Sequence, residues 1–342
     1  MEKYIAIDNY CGWPFVTKLP DNGLLMTVFN KPYHGIYEGE TETFFSSDSG
    51  YTWKYQGTPA YHKPGENKMN VACGLANNND YIVIVSGYEG KKPPPEDRSK
   101  YTMDGVKWKR TESLICRSND NGKTFTAKPL SYIPPNETVN KIKPYGNIIS
   151  LPGGKLLCPI HSDNFDSGIA STGTSYAVFS EDDGNSWGNA KIIGTGNFNE
   201  TAVLYVGNGK LLAALRTYNC NERLELFESN DMGENWSYRE ILTAGGMIPA
   251  NLIKLDNGGI LLTFGIRFGG LLGIGAMLSR DEGKNWSVTK VLNLIEGSRD
   301  GGYPSSVQLN DGTIVTAYYT KGCKDHARYH VGTLHWRIDD FF

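Results

Sequence analysis

Along the 342-residue chain, His34 and Glu38, Tyr88, His161 and Asp163, Arg216 and Tyr218, Arg267, and Tyr319 each follow an apolar run. Asn70, Tyr145, Glu200, Asn251 and Tyr303 each stand near the start of one, and Arg299 and Asp300 lie just ahead of Tyr303. Side chains of these types transfer protons, attack as nucleophiles or hold anions. If one axis gathers them, the result is a polar pocket with aromatic walls. Such a pocket suits a sugar, which offers hydroxyls for paired hydrogen bonds and flat faces for rings. The alternative is a solvated, charged rim.

Two repeats supply the elements that must position these groups. The first has the pattern S-x-D-x-G-x-x-[WF]. It occurs as SSDSGYTW (46–53), SNDNGKTF (118–125), SEDDGNSW (180–187), SNDMGENW (229–236) and SRDEGKNW (279–286). Steps of 72, 62, 49 and 50 residues separate Asp48, Asp120, Asp182, Asp231 and Asp281. A period near 50 marks a propeller or an array. Ser and Asp serve backbone groups inside a tight turn, Gly supplies a positive φ, and the aromatic residue buries a flat face. Those duties are structural.

The second repeat is a glycine turn between apolar runs: LPDNGLL (19–25), LPGGKLL (151–157), VGNGKLL (206–212), LDNGGILL (255–262) and LNDGTIV (309–315), with a degenerate copy in LANNNDYIVI (75–84). Each copy reads as a strand, a turn and a strand. One unit is therefore strand A, glycine turn, strand B, loop, strand C, eight-residue turn, strand D. Six units make an all-β protein, a six-bladed β-propeller of four-stranded antiparallel blades, forming one domain over residues 1–342. The last unit lacks its eight-residue turn. Its strand C is RYHVGTLHW (328–336), and KYIAIDNY (3–10) from the N-terminus is expected to supply strand D. That closure removes free sheet edges.

This topology puts both kinds of turn on one face and the B–C loops on the other. Strand A is innermost, so the residues named at the outset should converge at the axis. The longest B–C loop, about 89–110, is too long for a mere connection and reads as a lid or specificity loop.

Composition narrows the partners. A net charge of −3 argues against nucleic acid. No apolar run approaches about 18 residues, so no membrane span is expected. MEKYIAIDNY lacks the features of a secretory leader. The expected location is cytoplasmic, or secreted or periplasmic if a leader has been removed. Six cysteines without C-x-x-C spacing read as reduced and packed. His326 and His330 could line the pocket, but their spacing of four is no metal signature on strands. No metal and no cofactor are expected. The expected partner is a carbohydrate, and no motif marks an oligomeric state.

The five eight-residue turns resemble the Asp-boxes of the sialidase superfamily, over nearly the whole chain. NETAVLYVGNGKLLAALR (199–216) looks like the family segment N-E-x(15)-R, in which the Glu polarises a tyrosine and the Arg binds the substrate carboxylate. GGYPSSVQL (301–309) is similar to the segment carrying the nucleophilic tyrosine, and LLTFGIR (261–267) places Arg267 in the blade of a further arginine. The resemblance implies an exo-acting glycoside hydrolase with Tyr303 as nucleophile, Glu200 as its base, and Arg216 and Arg267 as clamps. A tyrosine in that role is the sialidase exception among glycosidases. A carboxylate on the anomeric carbon repels a carboxylate nucleophile, whereas a neutral phenol is not repelled.

The chain departs from the family in its first blade. CGWP (11–14) puts Gly12 where F/Y-R-I-P has its arginine, and NKPYHGIYEGETE (30–42) has no Asp for acid/base work. Glu38 or His34 is the expected substitute. Asn70, Tyr145, His161, Tyr218, Arg299, Asp300 and His330 are expected to contact substrate. Three other readings stand beside this one. They are an inverting pair of Glu38 and Glu200, a lyase using His34 or His161 with Tyr303, and a sugar-binding propeller without catalysis.

Overall fold

The computed structural model describes residues 1–32, 38–90, 108–137, 142–162, 173–218, 222–268, 270–296, 298–324 and 326–342. The chain is a six-bladed β-propeller, each blade built on four antiparallel strands. Blade one is Phe15–Lys18, Leu24–Phe29, Thr41–Ser46 and Lys54–Gly57. Blade four is Phe198–Gly207, Lys210–Thr217, Leu224–Ser229 and Ser237–Ile241, and blade five runs from Met247–Lys254 to Lys290–Leu294. Blade six is Gly301–Gln308, Ile314–Cys323 and His326–Trp336, closed by the N-terminal strand Glu2–Asp8, with Glu2 opposite His335.

Second strands such as Leu24–Phe29 and Tyr81–Ser86 are buried throughout, which is why they read as continuous apolar runs. Fourth strands such as Lys54–Gly57 and Thr126–Pro129 are largely exposed and polar. The core lies in the seams. One apolar cluster joins Val315 of blade six to Leu25 of blade one and Val83 of blade two, and another joins Leu212 of blade four to Leu262 of blade five.

The eight-residue turns share one geometry. Gly50, Gly122, Gly184 and Gly283 each donate a backbone N–H to the repeat's Ser Oγ at 2.8 Å. The Asp carboxylate receives that serine and the residue four positions on, as Asp48 does from Thr52 at 2.9 Å. The residue before the glycine is also left-handed, from Ser49 at φ 62° to Glu282 at φ 59°. Trp53 and Trp236 donate their indole N–H to the glycine carbonyl.

Blade three departs from the expected pattern. Its innermost strand is broken into Ile142–Pro144, Gly146–Asn147 and Ile149–Ser150. The middle piece pairs with blade two instead, Gly146 opposite Ala72. Pro144 lacks an N–H for the ladder. Gly146 has φ 103°, and a Cβ there would stand 2.8 Å from the Thr201 carbonyl oxygen.

The second-blade loop begins and ends as a two-stranded ribbon, Tyr88–Gly90 against Trp108–Arg110. The rest of that expected lid, with His34, Asp163 and Cys220, lies outside the described residues. Among the described residues no helix is long and apolar enough to cross a membrane. Cys11, Cys73, Cys116, Cys158 and Cys323 are free thiols.

Candidate active site

Three side chains from two blades meet at the axis. Glu200 stands near the start of the first strand of blade four, and Arg216 near the end of the second. A bulge between Phe198 and Thr201 shifts the ladder at Glu200. Tyr303 lies in a second bulge, between Gly302 and Ser305 of blade six. The Tyr303 hydroxyl donates to Glu200 Oε1 at 2.7 Å. Arg216 Nη1 donates to Glu200 Oε2 at 2.5 Å and to the Tyr303 oxygen at 3.1 Å. Arg216 Nη2 donates to Glu222 Oε1 at 2.7 Å.

Backbone geometry sets this meeting. Tyr303 has φ 51°, uncommon for a bulky residue and costly unless the surroundings impose it. Gly302 has φ 95°, and a Cβ there would come within 3.0 Å of Gly265 Cα. That close approach brings blade five against blade six and puts the Arg267 guanidinium 4.9 Å from the centre of the Tyr303 ring. Arg267 Nη2 also donates to the Gly301 carbonyl at 2.5 Å. Tyr145, Trp13 and Tyr319 surround Tyr303 at ring-centre distances of 6.2, 5.9 and 5.8 Å.

Burial, and then the neighbouring Glu200 carboxylate, push the Tyr303 phenol well above its ordinary pKa, against the pull of Arg216 and Arg267. The resting phenol is therefore protonated, its hydrogen held by Glu200. Burial opposes the charge on Arg216, but Glu200, Tyr303 and Glu222 more than offset it. The Nε atoms of Arg216 and Arg267 are buried without a partner among the described residues. Two such donors flanking one phenol are available to an acceptor on a ligand.

The other expected site residues fall in three groups. Tyr145, His161 and Tyr218 feel the charge of Arg216, so they belong to the same neighbourhood. Asn70 opens the first strand of blade two. Asp300 accepts from Tyr319 at 2.6 Å and Tyr329 at 2.5 Å, beside the same aromatic wall.

Glu38 accepts the Gly65 N–H at 2.8 Å, and no bond among the described residues ties it to Glu200, Arg216 or Tyr303. Arg299 is exposed. His330 sits on the third strand of blade six, bonded to the Arg328 carbonyl and edge-on to His326, and does not join the cluster. The position of Gly12 is filled by backbone, since a Cβ there would lie 2.7 Å from Phe29 N.

Two cations not singled out from sequence lie in the same neighbourhood. Arg110 and Lys143 are buried, at 5.6 and 5.3 Å from the centre of the Tyr88 ring. Lys143 stands directly across the ladder from His161. Burial, and then the adjacent Arg110, depress the Lys143 ammonium against the pull of Glu200. Burial and the same cations hold His161 neutral. Period-two alternation from Tyr145 points to Lys143, whereas Arg110 follows a long insertion that no repeat indexes.

A sequence model of the BNR repeat-like domain family matches residues 99–316. No curated protein matches the chain. Among solved structures, a protein of unknown function from Dyadobacter fermentans is similar at 18% identity, covering 97% of each chain with a TM-score of 0.78. Trypanosoma rangeli sialidase is similar at 18% identity and a TM-score of 0.67, over 96% of this chain and 55% of that one. The NanB sialidase of Streptococcus pneumoniae is similar at 12% identity and a TM-score of 0.71, over 99% and 70%. The chain thus spans little more than half the length of the trypanosomal enzyme. At these identities the likeness is one of fold.

Proposed function

Because the chain belongs to the BNR repeat-like domain family and shares the propeller fold of sialidases, we propose that it is an exo-acting glycoside hydrolase that removes a terminal acidic sugar. One observation carries the reading: Tyr303 and Glu200 are hydrogen-bonded at 2.7 Å with Arg216 bridging both. A sugar-binding propeller needs no base beside its tyrosine.

The chemistry follows from the geometry. Glu200 takes the phenol proton as the Tyr303 oxygen attacks the anomeric carbon. Phenolate charge develops beside the Arg216 and Arg267 guanidinium groups, which stabilise it in a water-poor site. The glycosidic bond breaks, and Glu38 or His34 protonates the departing oxygen. Water, giving its proton to the same Glu38 or His34 now acting as base, then attacks the tyrosyl-linked sugar; the bond to the tyrosine oxygen breaks and the proton on Glu200 returns to the phenol. Two displacements retain the anomeric configuration. Arg216 and Arg267 supply the clamp for an acidic group through their Nε donors.

The test is turnover of a panel of aryl glycosides bearing sialic acid, related ulosonic acids, uronic acids and neutral sugars. Release from an acidic glycoside is expected, with kcat lowered about 10²- to 10⁴-fold in Glu200→Gln. Silence across the panel would sink the hydrolase reading.

A further inference from the structure

Tyr303, at φ 51°, holds a backbone angle that a bulky residue does not keep unaided. The turn that leads into it is pinned from two blades. From blade five, Arg267 Nη2 reaches the Gly301 carbonyl at 2.5 Å. Within blade six the pin is Asp300, just ahead of the two glycines. Its Oδ1 accepts from the Tyr319 hydroxyl at 2.6 Å and its Oδ2 from the Tyr329 hydroxyl at 2.5 Å. Its own N–H donates to Ser298 Oγ at 3.1 Å.

Tyr319 and Tyr329 come from the second and third strands of the blade. Tyr319 is tied to the turn a second time. It stands opposite Gly302 across the ladder, and its fully buried ring lies 5.8 Å from that of Tyr303 and 6.3 Å from that of Trp13. Tyr329 stacks behind it at 6.5 Å. A carboxylate that receives two phenols makes two charge-assisted bonds, enough to offset one residue at positive φ. We propose that Asp300 is a positioning residue. Through Tyr319 and Tyr329 it fixes the Gly301–Gly302 turn and so holds the Tyr303 hydroxyl on Glu200. No sugar contact is assigned to it. The inference deepens the hydrolase reading and rests on it for what Tyr303 does there, but not for the geometry.

The test is ¹³C NMR of the intact chain labelled at tyrosine Cζ, with the Tyr303 signal identified by its loss in Tyr303→Phe. Kinetics on the glycoside selected by the panel run alongside. Asp300→Asn keeps the size of the side chain and weakens its hold on the phenols. The Tyr303 signal should move, and kcat should fall about tenfold to hundredfold with KM little changed, the mark of a reacting atom out of place. Tyr329→Phe removes one donor and should act the same way more weakly. It is also the second variant should Asp300→Asn not fold. The double variant should be no worse than Asp300→Asn, because both changes act on one network. A Tyr303 signal that stays put in the folded variants overturns the proposal. So does a raised KM with kcat intact, which would make Asp300 a sugar contact. A chain that hydrolyses no glycoside yet moves its Tyr303 signal ends the hydrolase reading and keeps the positioning role. Hydrolysis at the full rate in Asp300→Asn does the reverse.

Discussion

The Tyr303 hydroxyl is committed twice over, donating to Glu200 and accepting from Arg216, on a backbone angle that only its neighbours can sustain. Tyr303→Phe keeps the ring contacts to Trp13, Tyr145 and Tyr319 and removes only the oxygen. Turnover should fall below detection while sugar binding, read by tryptophan fluorescence, changes little. Gly12 is the opposite case. An arginine there would drive its Cβ into the backbone of Phe29 at 2.7 Å. Gly12→Arg should therefore destabilise the fold by about 1–3 kcal/mol in urea denaturation and leave turnover unimproved. A stable, more active Gly12→Arg protein would show that the position is a vacancy rather than a packed seam. Glu200, Arg216 and Tyr303 were legible because a repeat indexes them. Lys143 was reachable only by period-two alternation from Tyr145 along a strand that proves to be broken, and Arg110 was hidden by an insertion. Glu38 and His330 were named because their residue types suit the chemistry, and the structure shows one hydrogen-bonded to Gly65 and the other to Arg328.

At the scale of the element, the eight-residue turn makes stability depend on acid. The side chain and backbone N–H of Asn285 hold the Asp281 carboxylate at about 2. Burial works against ionisation at Asp48 and Asp120, yet hydrogen bonds from Thr52 and Thr124 still bring both to about 2. In the unfolded chain an aspartate titrates near 3.9. Folded values below unfolded ones mean a contribution fully present above about pH 4 and lost as pH falls toward 2. An acid titration followed by near-ultraviolet circular dichroism should show loss of structure in that window. Asp281→Asn should shift the transition by removing one of the titrating groups, and a flat profile from pH 5 to 2 would refute the account. The sequence announced these turns through five copies of one pattern. It could not announce that the residue before the glycine is left-handed too, because Ser49, Met232 and Glu282 share no residue type.

Closure is a property of the whole molecule, and the site depends on it. Tyr303 comes from blade six and Glu200 from blade four, so their 2.7 Å hydrogen bond holds only while the ring of blades is complete. Blade six in turn is completed by Glu2–Asp8, which pairs with His326–Trp336 and whose Asp8 receives His326 at 2.6 Å and also Arg328. The seam to blade one adds Tyr51 stacked on His335 at 4.2 Å. Deleting residues 1–9 would leave an eleven-residue strand as an open edge, ready to pair with another chain. The truncated protein should melt at a lower temperature and self-associate, as seen by light scattering. Its turnover should fall even though no deleted residue touches the site. A truncated chain that stays monomeric and melts unchanged would mean that the ring is held by its seams alone. The N-terminal strand would then be an ornament on blade six rather than the element that fixes the distance from Tyr303 to Glu200.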